Sequence, residues 1–264
     1  MAREGKAYLT ELVESVICVP DAFRIRCGND NFIFSIQSKN QETNDYFAIS
    51  AIYDTICTID SAIKFAFAEA IAIDLPESLD TYNPFSQIGE DERIAIYHVE
   101  NIVFRVSILW DMLAQLCNII YQTKVDLKKL HCGRYFDAFS KGDKSFEFAK
   151  EVNDYLEEKE DTSIDANPWP GNHAFLANYR NQMTHRVSPS ISSISTFGHT
   201  LRPPTMYLLH RAVEDYYKVS SFLCRLVNQY LDEHQNWLPF GLEKSEEDER
   251  KGIENKVPIR RLRR

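Results

Sequence analysis

A chain of 264 residues, 44% hydrophobic and 26% charged, suffices for one large domain or two small ones with a sizeable buried core. Its net charge of -9 argues against a broad surface for coating nucleic acid, although the last nine residues, KVPIRRLRR, hold five Lys+Arg and no acid. There is no N-terminal run of signal-peptide form, and no stretch approaches the ~18 uninterrupted apolar residues of a membrane span; the longest candidate, IKFAFAEAIAIDL, carries Lys64 and Glu69.

The hydrophobic period is helical almost throughout. It predicts a first helix near residues 3–18. NFIFSIQSKN alternates in a way that suits a short strand or a helix end. A long helix follows over about 45–74, ended by Pro76, and a second begins at EDERIAIY, whose first-turn acids favour the helix dipole. Shorter helices are expected near 126–139 and 144–158, before the loop DTSIDANPWPGN. Asn172 has the chemistry of an N-cap for a helix over 172–187. VSPSISSISTFGHTLRPP reads as a Ser-rich loop, and Pro203 or Pro204 fits the first turn of a last long helix reaching His234. Residues 243–264, charged and poor in aromatics, read as a disordered tail. The expected architecture is therefore all-α, an up-and-down bundle of four long helices with additional short ones, in a single domain over 1–242.

Six scattered cysteines with no C-x-x-C pair read as reduced, buried thiols of a cytoplasmic protein. No Cys/His cluster has zinc-ligand spacing, and no phosphate loop, G-x-S-x-G or H-E-x-x-H motif occurs, so neither a metal nor a cofactor is expected.

The chemistry concentrates in FLANYRNQMTHRVSPS. At 100° per residue, Phe175, Leu176, Tyr179, Met183 and Val187 form a core-facing stripe within about 120°. Asn178, Asn181 and His185, at i, i+3, i+7, lie roughly opposite, with Ala174 and Ala177 beside them. A small, polar, uncharged face suits a close helix contact. Arg180 sits about 140° from His185 on an ideal helix, so the arm must reach round or a partner must complete a site. A histidine can move a proton near neutral pH, an arginine fork matches phosphate oxygens, and an asparagine one turn before the histidine can orient it. That trio suits metal-independent RNA cleavage, with the 2′-hydroxyl deprotonated and phosphate charge stabilised. The bland alternative is an ordinary helix surface, since R-x4-H is common in unrelated proteins.

YRNQMTHR in an all-α setting resembles the signature of the HEPN superfamily, in which Arg is followed by four to six residues and then His, with a polar residue, often Asn, after the Arg. The resemblance spans roughly residues 45–235, its specific motif only 180–185, in a chain longer and more acidic than small members of the family. It implies a metal-independent endoribonuclease of toxin–antitoxin, phage-defence or RNA-processing systems, or else a silent module that binds nucleotide or RNA. It further implies a homodimer through the motif helix and, in some systems, a nucleotidyltransferase or antitoxin partner. Carried over, His185 transfers the proton, Arg180 contacts the phosphate and Asn181 orients them.

On the helix HVENIVFRVSILWDML, Glu100, Phe104, Ser107 and Asp111 share a face, with Arg105 beside it. Buried carboxylates need partners, which Arg180 or Arg105 could supply, so Glu100, Arg105, Asp111 and Asn178 are supporting candidates against the alternative of an ordinary interhelix salt bridge. Asp54 and Asp60 read as structural partners of bundle arginines, His98 as a surface or core histidine, and His199 and Arg202 as loop residues within reach of a phosphate. Trp110, Tyr216, Tyr217 and Phe222 read as core, and IRRLRR as a tail for nucleic acid or an acidic partner.

Overall fold

Seven α-helices dominate the computed structural model, which describes residues 2–18, 22–23, 25–26, 32–33, 41–75, 82–159, 171–185, 188–195 and 198–234. They are α1 (Ala2–Ser15), α2 (Gln41–Ala72), α3 (Glu90–Ile120), α4 (Cys132–Ser140), α5 (Glu147–Leu156), α6 (Asn172–His185) and α7 (Thr205–Glu233). Two small antiparallel ladders accompany them: β1 (Ile25–Arg26) with β2 (Phe32–Ile33), and β3 (Ser193–Ser195) with β4 (Gly198–Thr200). The chain is all-α as expected. Three helices reach 29 to 32 residues, while α1 and α6 have 14 each. The segment read as an unbroken Ser-rich loop instead carries β3 and β4, whose register rests on backbone pairing and needs no apolar alternation. The tail beyond residue 234, Cys27 and Val187 lie outside the described residues.

Side-chain pairs fix the helix directions. Lys6 Nζ of α1 donates to the carbonyls of Ile71 and Ile73 at 3.2 and 3.0 Å, and Lys64 Nζ of α2 donates to Val16 O at 2.7 Å. Neither helix has a basic residue in its own last turn, so each antiparallel neighbour supplies the cation that satisfies the other's orphan carbonyls. Gln122 just past α3 reaches Asp45 early in α2 at 2.8 Å, and Phe65 meets His98, so α2 and α3 are antiparallel too. By contrast, Thr205 meets Glu92 and Trp110 meets Phe222, so α3 and α7 run parallel. A parallel pair cannot be joined by a tight turn. Residues 121–204 make the crossover, and α6 returns antiparallel to both.

The core is continuous around α3, with Val99, Ile102, Leu109, Leu113, Leu116 and Trp110 almost fully buried. Tyr216 and Phe222 are buried as expected, and Tyr217 half-buried. Length and composition would also let α3 cross a membrane: its best window has a hydropathy of 1.4, and 56% of that window is buried inside this fold. The described cysteines are free; Cys57, Cys117, Cys132 and Cys224 are buried and Cys18 half-buried.

Buried carboxylates are satisfied differently from expectation. Asp60 takes Lys64 at 2.8 Å and the Tyr216 hydroxyl, not an arginine, and Asp54 is exposed. Arg202 is buried, held by Tyr82 at 2.9 Å and by Glu92 at 3.7 Å, and is therefore a structural clamp on the first turn of α3. Pro204 is the N-cap of α7 and not a residue of its first turn. The bond between Tyr216 and Asp60 is charge-assisted and buried. Tyr216→Phe should therefore lower stability by about 1.5–3 kcal/mol, read as a lower urea midpoint with an unchanged slope.

Candidate functional site

The start of α6 is set by a close backbone approach. Gly171 N donates to Glu158 O at 2.9 Å, and a Cβ on Gly171 would lie 2.5 Å from that oxygen, so only glycine fits. Phe175 N donates to Gly171 O at 3.0 Å, which makes Gly171, not Asn172, the cap position. The Asn172 amide instead donates to Glu214 Oε2 on α7 at 2.8 Å, and its Oδ1 is buried without a hydrogen-bond partner. Leu176 and Tyr179 are buried and Phe175 and Met183 half-buried, as the stripe predicts. Arg211 of α7, itself buried, stacks over the rings of Phe175 and Tyr207 at 5.1 and 5.6 Å and holds this stripe in place.

On the side of α6 facing α3, a small cleft opens. Ser107, Trp110 and Asp111 of α3, His131 and Cys132 at the start of α4, His173, Ala177 and Arg180 of α6, and Asp215 of α7 line it. Residues 173, 177 and 180 share one helix face, so a histidine and an arginine reach the same space within a single helix. The cleft volume is about 40 Å³. A water needs roughly 10–15 Å³ on this scale, so the cleft holds about three waters, the size of one phosphate group and far below that of a nucleobase.

The Arg180 arm extends to α3 and to its own neighbour Asn181. Its Nη1 donates to Ser107 Oγ, and its Nη2 donates to Asn181 Oδ1 at 3.1 Å. Both acceptors are neutral, and among the described residues no carboxylate lies within ion-pairing distance of this guanidinium. Arg180 and Asn181 therefore are brought together. Asn178 and Asn181 are exposed, so their part of the polar face is open to solvent in the single chain. His185 ends α6, five residues and about 7.5 Å along the axis from Arg180.

The supporting candidates separate. Glu100 is half-buried and faces α6, where the Tyr179 hydroxyl donates to it at 3.5 Å. Burial raises its pKa above the usual glutamate value, opposed in part by hydrogen bonds from Ser190 and Tyr179. Burial, and then the Glu100 charge, push the Tyr179 phenol up in turn. Asp111 accepts from Cys132 N at 3.1 Å and so ties down the first turn of α4. Arg105 folds back on its own helix, donating to Asn101 O and Oδ1 at 3.2 and 2.9 Å. Among the described residues neither carboxylate takes an arginine, contrary to the expected pairing: Glu100 has hydroxyl partners and Asp111 a backbone one.

Sequence reasoning missed His173 and Asp215. Asp215 is 1% exposed; it accepts from Trp110 Nε1 at 3.0 Å and from the Tyr155 hydroxyl at 2.9 Å. His173 Nδ1 lies 3.5 Å from the same carboxylate, with the ring edge-on to Trp110. That nitrogen is buried and makes no hydrogen bond, so the carboxylate is its neighbour without being its acceptor. The i, i+7 spacing of His173 and Arg180 was the available signal. Among the described residues no three His, Cys, Asp or Glu side chains cluster as a metal site requires. In comparison with known proteins, no family model, no curated protein and no solved structure matches this chain.

Because burial raises the folded-state value of Glu100, the folded chain keeps this proton to higher pH than the unfolded one. The resulting stability is present below the unfolded value and is lost as pH rises through the folded value. Glu100→Gln should thus gain stability relative to wild type as pH rises from the ordinary glutamate value through the raised folded-state one, measured by paired thermal melts.

Proposed function

We propose that this chain is a HEPN-like, metal-independent endoribonuclease that acts on RNA through the Arg180 cleft. The observation that carries the reading is an arginine fork bonded, among the described residues, only to neutral acceptors, at a cleft with room for one phosphate group. Asn181 already holds one arm of that fork, the orienting role the motif implies. In the reaction the 2′-oxygen loses its proton and bonds to phosphorus. The P–O5′ bond breaks, the 5′-oxygen takes a proton, and the products are a 2′,3′-cyclic phosphate and a 5′-hydroxyl. Arg180 stabilises charge on the phosphate oxygens.

His185 is the proton-transfer residue under the motif reading, completed by a second copy of the chain through the motif helix. His173, whose Nδ1 lies 3.5 Å from Asp215, is its rival within one chain, because it lines the cleft with Arg180. The second functional reading is a silent module that binds a nucleotide or RNA through the same arginine. Ser107 and Asn181 already occupying the guanidinium favour it, as does the net charge of -9. A cytoplasmic setting and a nucleotidyltransferase or antitoxin partner belong to the same proposal.

The test is RNA cleavage in EDTA by wild type, Arg180→Ala, His185→Ala and His173→Ala, each checked for helical content. Wild type should leave cyclic phosphate ends, and Arg180→Ala should lose about 10²–10³ in rate. The histidine whose loss abolishes cleavage is the proton carrier. No cleavage of varied RNAs, with nucleotide binding that Arg180→Ala removes, establishes the silent module instead. Absence of both cleavage and binding sinks both readings.

A further inference from the structure

Among the described residues an exposed apolar stripe lies on α3. Ile94, Tyr97, Phe104 and Ile108 are 45%, 63%, 36% and 44% exposed on a helix that is otherwise the centre of the core. With Asn101 they follow spacings of three, four, three and four residues and fall within about 80° around the helix. This is the a/d pattern of a two-stranded coiled coil, over a length of about 21 Å. Asn101 takes the middle a position, where a polar residue fixes register and strand number at some cost in stability. On α2, Phe65, 64% exposed, adds to the stripe through its edge contact with His98.

Charge decides what fits the stripe. Glu100 and Arg105 flank it, one on each side, as g and e positions. Among the described residues neither makes an ion pair within the chain. When two copies of α3 are laid side by side in parallel, Glu100 of each faces Arg105 of the other, the five-residue relation that pairs opposite charges across such a seam. Asn101 then faces Asn101, and the aromatic Tyr97 and Phe104 layers each face themselves. The stripe is its own complement, which is what a two-fold contact between identical chains needs.

We infer that the α3 stripe Ile94–Tyr97–Asn101–Phe104–Ile108 is a docking surface for a second copy of this chain, joined as a parallel two-fold seam. The inference needs neither RNA cleavage nor the role given to Arg180. It also differs from a dimer closed through α6, since it uses another helix.

The test uses the full chain in light scattering after gel filtration, where a dimer of the 30.7 kDa chain doubles the mass. Tyr97→Glu with Phe104→Glu should raise the dissociation constant at least about 100-fold and leave the helical content unchanged. Single variants Tyr97→Cys and Phe104→Cys should each form a disulfide-linked dimer on mild oxidation, above the wild-type background from the native thiols. A wild type that stays monomeric up to about 100 μM, where a weak interface still shows, overturns the inference. So does a dimer that the two glutamates leave intact. Cross-linking that needs Ile94→Cys together with Ile108→Cys means an antiparallel pair and overturns the register. A monomer that floats with phosphatidylcholine vesicles and ceases to do so in the double glutamate variant makes the stripe a membrane contact, and overturns it too.

Discussion

A buried carboxylate has to be solvated by something, and Asp215 obliges four helices to do it. Its oxygens are reached by an indole from α3, a phenol from α5 and an imidazole from α6, while the residue itself stands on α7. Neither the indole nor the phenol, which donate to it, can be withdrawn without leaving a charge or a dipole unsatisfied in the interior. Burial first, then the neighbouring carboxylate, drive the Tyr155 phenol far above its ordinary value, so it remains a donor at any physiological pH. The crossover between α3 and α7 is therefore held at a point in addition to being packed by apolar contact. The cleft exists beside that point because the same histidine and tryptophan that serve Asp215 form its wall.

The central helix is shared among three tasks by angle. One face of α3 builds the core with α2 and α7, a second receives Tyr179 and Arg180 from α6, and the third carries the exposed apolar stripe. Glu100 and Ser107 stand on the second face, one stripe removed from Tyr97 and Phe104. A substitution on α3 consequently has effects that depend on its angle more than on its position along the helix. The acids of its first turn serve both the helix dipole and the clamp on Arg202.

Helix existence and most helix ends were legible in the sequence because period, proline positions and first-turn acids all act locally. The core stripe of α6 was legible for the same reason. Partner choice was not. Asp60 could be read as a carboxylate needing a cation, but that the cation is Lys64 and the second donor Tyr216 depends on where α7 passes. Asp111 found a backbone N–H, which no residue pattern announces. The pairing of His173 with Asp215 joins positions on two helices and had no motif of its own, although the shared face of His173 and Arg180 was readable. The small β3–β4 ladder was hidden because three-residue strands leave no usable periodicity.

The parallel course of α3 and α7 also bears on the order of assembly. The antiparallel α2–α3 pair needs only a short connection and can close early. The bond from Trp110 to Asp215 spans 105 residues, and that from Tyr155 to Asp215 spans 60. Contacts of such separation carry the loop-closure entropy of the whole crossover and are late events in a folding reaction. The cleft therefore exists only once the crossover has closed, because Ser107 on α3 gains Arg180 only when α6 has returned against it.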